Sequence, residues 1–114
     1  MFVEMEEDIS LLFGALADPT REKVVRLLSN GPRRAGELAT ASGSSPSTMS
    51  RHLRVLLDAG IVTDERPADD ARTRVFRLRS DSMGAVQAWL DELQAHTDAQ
   101  LASFKRHVER TGRA

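Results

Sequence analysis

The segment Ser44–Val62 constrains this chain more than any other. Ser44-Ser45-Pro46 has the make-up of a helix N-terminus. A serine hydroxyl can accept from the first free amides, and a proline just inside has the right fixed φ and no amide to leave unpaired. One helix with two unlike faces follows. Met49, Leu53, Leu56 and Leu57 recur at helical spacing as an apolar stripe. Ser47, Ser50, Arg51 and Arg54 recur at the same spacing on a different face. The helix stops at Gly60 and a β-type pattern begins at Ile61. Short hydroxyls and guanidiniums along an outward helix face are what the DNA major groove accepts. Taken alone, such a face is equally well the solvated side of an ordinary helix, so the neighbouring segments have to decide.

Ile9, Leu12, Phe13 and Leu16 make a stripe on a first helix. Asp18 can cap a second, with Pro19 at its first position, running from Thr20 to about Asn30 with Val24, Val25, Leu27 and Leu28 inward. Asn30-Gly31-Pro32 ends it by turn chemistry. Glu37, Leu38 and Ala39 belong to a short third helix, and Ala41-Ser42-Gly43 turns the chain into the fourth. A short helix, a glycine turn and a helix exposing polar residues make a helix-turn-helix.

After Gly60, Ile61–Arg66 and Thr73–Arg79 read as two strands around the polar tip Pro67–Arg72. In the second strand, Val75 and Arg77 face one way and Arg74, Phe76 and Leu78 the other. A hairpin directly behind a helix-turn-helix is a wing. Arg72 and Arg74 foremost, then Arg66, Arg77 and Arg79, can reach phosphates or a minor groove from it. The competing explanation for these arginines is solubility and edge-strand protection.

A last helix is predicted from Asp81 to about Arg110, roughly 45 Å at 1.5 Å per residue. Met83, Val86, Leu90, Leu93, Leu101, Phe104 and Val108 form its stripe, with Trp89 alongside. So small a domain cannot bury so long a stripe on itself, unless the helix folds back over its own core. A second copy is the natural partner, giving a two-fold dimer through the last helix and the first. The interface is expected to use Ile9, Leu12, Met83, Val86, Trp89, Leu90, Leu93, Leu101 and Phe104. The fold class is thus mainly α with a β-hairpin wing, a five-helix winged helix-turn-helix. It is read as one domain over residues 1–114, with the helix-turn-helix and wing in 8–79 and the dimerisation helix in 80–110.

Charge sharpens this reading. The net charge of the 114-residue chain is only −1. Residues 1–20 nevertheless carry five acids and no base, and residues 21–54 carry seven bases and two acids. A local basic patch, not the overall charge, is the footprint of phosphate contact. Glu6, Glu7 and Asp8 read as a solvated acidic run, not a paired acid and base. With no cysteine, disulfides, thiolate metal sites and a thiol nucleophile are excluded. The chain has no glycine-rich phosphate loop, and its serines cluster where capping explains them, so no enzyme is expected. No apolar run approaches the 18 or so residues that would cross a membrane, and the acidic N-terminus is unlike a secretory signal. The expected location is the cytoplasm, with no membrane partner.

Four blocks together resemble the ArsR/SmtB family of bacterial winged-helix repressors: Phe13-Gly-Ala-Leu-Ala-Asp-Pro-Thr-Arg21, Gly36-Glu-Leu-Ala39, Ser47-Thr-Met-Ser-Arg-His-Leu-Arg-Val-Leu56 and Ala59-Gly-Ile-Val62. The resemblance runs from about residue 9 to 78. It implies a homodimer on a palindromic operator in double-stranded DNA, repressing nearby genes and released by an inducer or a condition. Family members often sense metals, either through cysteines in the third helix or through four ligands on the last. Here Gly36–Ala41 has no thiolate, and of the four last-helix positions only Asp81 is a ligand, the others being Met83, Gln94 and Thr97. His96 and His107 are eleven apart but sit too late in the chain, and Arg110 in a flanking position cannot ligate. Neither a metal site nor any other cofactor is expected.

Arg51 is placed to read guanine through two donors, with Ser47 and Ser50 allowing close approach and Thr48 offering a methyl or a hydroxyl. Ser45 and Pro46 enter the groove with the helix start. Arg54, Arg33 and Arg34 are expected on phosphates, joined by Arg72 and Arg74 of the wing. His52 is either a DNA neighbour or a packing residue at the helix edge. The alternatives to a metal-independent repressor are a winged helix that binds protein and a regulator that senses an unidentified ligand.

Overall fold

Asp18 and Ser45 start the two helices that frame the core. The Asp18 carboxylate accepts from the amides of Thr20 and Arg21 at 2.8 and 3.1 Å, with Pro19 opening the helix behind it. The Ser45 hydroxyl accepts from the Thr48 amide at 3.2 Å, with Pro46 in the same place. Both motifs satisfy amides that a helix start leaves free. The computed structural model describes residues 2–112, and side chains from residue 9. The side chains of Glu6, Glu7 and Asp8 lie outside the described residues.

The elements follow in the order α1 (Phe2–Leu16), α2 (Pro19–Leu28), β1 (Arg33–Arg34), α3 (Ala35–Ser42), α4 (Pro46–Asp58), β2 (Val62–Glu65), β3 (Val75–Leu78) and α5 (Ser80–Gly112). Five helices with a small antiparallel sheet make the expected winged helix-turn-helix. Gly43 closes α3 with φ 65°, and Gly60 follows α4 with φ 74°. Both are left-handed conformations that a side chain disfavours, so glycine permits both turns.

The wing corrects one expectation. It is not a bare hairpin: Arg33 and Arg34 form a third strand, pairing with Phe76 and Val75 to give the order β1-β3-β2. β3 is therefore central, and Phe76 on its inner side is fully buried while Arg77 on its outer side is exposed. α2 also ends two residues earlier than read from the sequence, at Leu28.

The buried side chains form one cluster to which every helix but α5 contributes buried residues. α5 supplies Met83, Val86 and Trp89, packed against the cluster and half buried. Trp89 meets Phe13 of α1 edge to face, with ring centroids 5.2 Å apart. Beyond Trp89 every described residue of α5 is exposed, and the helix projects from the body, stretching the molecule to 74 Å against 31 and 21 Å.

Candidate nucleic-acid interface

α4 divides as its spacing demands. Met49, Leu53 and Leu56 are at most 2% exposed and anchor the helix in the core. Ser47, Thr48, Ser50, Arg51 and Arg54 are all exposed, as are Ser45 and Pro46 at its start. The start is tied together as well as capped, because the Ser45 hydroxyl donates to Thr48 Oγ1 at 2.9 Å. No acid occupies the first turn, so nothing there offsets the positive end of the helix dipole.

The arginines differ in how free they are. Among the described residues Arg51 has no carboxylate partner, whereas Arg54 lies 3.5 Å from Asp58 one turn on. On the wing, Arg74 holds Asp64 at 2.7 Å and lies over the Phe76 ring, 5.0 Å from its centroid. Arg77 similarly holds Glu65 at 2.6 Å. Arg79 holds Asp81 at 2.7 Å, and this bond is the main cause keeping the Asp81 carboxyl below its ordinary range. The Arg66 guanidinium donates to the Ala71 carbonyl at 2.8 Å across the wing tip. Arg72 is exposed, and its backbone amide donates to Asp70 at 3.2 Å. The Thr73 hydroxyl donates to the same carboxylate at 2.6 Å, and these two bonds, the hydroxyl's first, lower the Asp70 pKa.

Three of the expected phosphate ligands meet in one place. Arg34, Arg72 and Arg74 line an open recess of about 440 Å³ at the N-terminus of α3, with Ala35, Gly36, Glu37 and Thr73. β1 creates it by placing Arg34 beside the wing strand. Arg33, on the same strand, is half buried.

His52 departs from the outward set. Its Nδ1 lies 3.2 Å from the Arg21 guanidinium, and its side chain is only 17% exposed. The ring turns toward α2 because residue 52 lies on the flank between the buried row and the outward row. Arg21 was not singled out in the sequence, since the pair is separated by 31 residues.

The residues expected at a dimer interface are not all exposed. Ile9 and Leu12, expected in the interface, are buried in the chain's own core. Leu11 and Phe13 are the exposed apolar residues of α1. Met83, Val86 and Trp89 are half taken up by that same core. Leu90, Leu93, Leu101, Phe104 and Val108 remain exposed.

Recognition helix, glycine turn and wing define the class: a winged helix-turn-helix domain of the DNA-binding type. The family model described as bacterial regulatory protein, arsR family, matches residues 18–64. The HTH-type transcriptional regulator Rv2034 of Mycobacterium tuberculosis is 42% identical over 77 residues, 68% of this chain and 69% of the relative. An ArsR-like transcriptional regulator from Rhodococcus sp. RHA1 is similar in structure, with a TM-score of 0.77 at 25% identity over 89% of this chain and 92% of that one. So is Mb0332 of Mycobacterium bovis, solved as a homodimeric winged helix-turn-helix DNA-binding domain, with a TM-score of 0.64 at 25% identity over 87% and 86% of the two chains. This chain belongs to the ArsR family of bacterial transcriptional regulators. Among the described residues no helix is long and apolar enough to cross a membrane. No group of three or more His, Cys, Asp or Glu among them is placed to hold a metal ion.

Proposed function

We propose that the chain acts in the cytoplasm as a homodimeric, sequence-specific repressor that binds a palindromic operator in double-stranded DNA without a metal site or other cofactor. The observation that carries this reading is the division of α4. Its apolar side is sealed in the core while Ser47, Thr48, Ser50 and Arg51 stand free on the other. Arg51 reads guanine, and the small serines let the helix sink into the groove. Arg34, Arg72 and Arg74 around their shared recess, with Arg33 and Arg54, grip phosphates and set register.

The exposed stripe of α5, with Leu11 and Phe13 of α1, joins the two copies. Two recognition helices then enter successive major grooves about 34–36 Å apart, and repression follows where the operator overlaps a promoter. Family membership and the homodimeric Mb0332 domain support this reading. A gel shift on the DNA upstream of the chain's own gene tests it. A discrete complex that resists excess random duplex is expected. Equal competition by random duplex would favour a winged helix that binds protein.

A further inference from the structure

Arg21 joins three elements. It lies in the first turn of α2, where its Nε donates to the Ala15 carbonyl at 2.6 Å and its Nη2 reaches the Gly14 carbonyl at 3.5 Å. Both carbonyls belong to the last turn of α1, where a helix leaves acceptors without internal partners. The remaining Nη1 lies 3.2 Å from Nδ1 of His52 on the recognition helix. A guanidinium has donors only, so Nδ1 presents its lone pair in this contact, and a neutral ring making it carries its proton on Nε2.

Asp18 does not reverse this assignment. Its Oδ1 is 3.9 Å from the same Nδ1, but that oxygen already accepts from two backbone amides. An imidazolium turned toward it would also set an N–H against the guanidinium. The shorter contact with Arg21 therefore decides the tautomer.

Nε2 has no partner within the described chain. It is not sealed either, because Ser42 Oγ is the buried side-chain polar atom left without a partner among the described residues. Nε2 thus keeps contact with solvent. His52 shares a helix row with Thr48 and Val55, four residues before and three after, both exposed. That row borders the outward face, where a helix lying in a groove meets the phosphate wall.

We infer that His52 contacts DNA as a neutral imidazole, Nε2–H donating to a phosphate oxygen, and that Arg21 is the positioning residue that fixes this tautomer. The inference rests on the DNA-binding reading above. It also ties the end of α1 to the recognition helix through one side chain.

Side-chain amides separate the two ring nitrogens. A glutamine amide reaches the place of Nε2, and an asparagine amide only the place of Nδ1. Affinity is measured on a duplex selected from a random pool and on random duplex of equal length, with the melting temperature of each variant as a folding control. His52→Gln should bind within about threefold of the unsubstituted protein. His52→Asn should bind about tenfold more weakly to both duplexes, as expected for one lost hydrogen bond. Its salt dependence should be unchanged, because a neutral donor displaces no counterion.

Arg21→Met keeps the stem and removes the guanidinium. It should convert the His52 ring from a single Nε2–H form to mixed tautomers in ¹⁵N NMR of the free protein. In the His52→Gln background it should cost little further affinity, whereas a purely structural role would cost the same in both backgrounds. An Nδ1–H ring or an imidazolium in the free unsubstituted protein at pH 7.5 overturns the inference, as does undiminished binding by His52→Asn. Failure of the unsubstituted protein to bind any duplex overturns the DNA-binding reading itself. That outcome is distinguishable, because the tautomer is read without DNA.

Discussion

α4 and α5 carry the same kind of pattern, an apolar stripe at helical spacing, and the structure uses the two differently. The α4 stripe is satisfied within the chain: Met49, Leu53 and Leu56 are closed off in a core that α4 shares with α2, α3 and the sheet. Pro46 and Val55 apart, what α4 leaves outside is polar or charged. The α5 stripe is satisfied only over its first turns, and Leu101 and Phe104 remain more than 60% exposed. A helix that has buried most of its apolar side offers a partner chiefly hydrogen bonds and charge, which suits DNA. A helix that has not buried it needs another apolar surface, which suits a second copy of the chain.

Truncations of equal chemistry on the two helices test that contrast most sharply. Leu56→Ala should destabilise the fold by about 2–5 kcal/mol, as large-to-small changes in a sealed core do. Leu101→Ala should leave the urea midpoint of a dilute, monomeric sample almost unchanged. Comparable losses at both sites would mean that α5 folds back on the body and that the two helices do not differ.

Phe104→Glu should next turn the dimer into monomers by light scattering and weaken operator binding with it. A dimer that survives would move the interface off the α5 stripe. Arg51→Ala should cost about 1–3 kcal/mol on the selected operator and relax preference at one base pair per half-site. Equal loss on random duplex would remove its reading role.

On the wing, Arg72→Ala should weaken binding to all sequences and flatten the salt dependence by about one phosphate. Arg74→Ala should do less, since Arg74 is already held by Asp64. A larger effect at Arg74 would show that this ion pair opens on DNA.

The smallest effect is the pH response of the wing tip. The Thr73 hydroxyl and the Arg72 amide hold the Asp70 carboxyl below its ordinary value. A carboxyl lowered in the folded state contributes fully above its unfolded pKa and loses that contribution as pH falls through the folded one. The amide resonances of Arg72 and Thr73 should therefore stay fixed from pH 8 to 5 and shift only in stronger acid. A shift near neutrality would contradict the cap.

The helix-turn-helix and the hairpin were legible because caps, glycines and a change of period are local signals. Asp18, Pro19, Ser45, Pro46, Gly43 and Gly60 mark their boundaries within a few residues. β1 was not legible, because two residues carry no period and Arg33-Arg34 pairs with a strand some forty positions away. Nor was the occupancy of the arginines. Arg74 and Arg77 find Asp64 and Glu65 only through the β2–β3 register.

The face of α1 was ambiguous for another reason. Apolar residues at 9, 11, 12, 13 and 16 cover more than one side of the helix. Only packing shows that Ile9 and Leu12 turn inward while Leu11 and Phe13 remain outside. His52 and Arg21 likewise meet through tertiary packing alone.

The central claim is that the outward row of α4 reads sequence as a two-fold pair. Selection of bound duplexes from a random pool by the purified chain measures it most directly. The account predicts enrichment of an inverted repeat whose half-sites are centred about 10–10.5 base pairs apart, and loss of one base preference per half-site with Arg51→Ala. A pool that stays random, or an enriched site without two-fold symmetry, would contradict it.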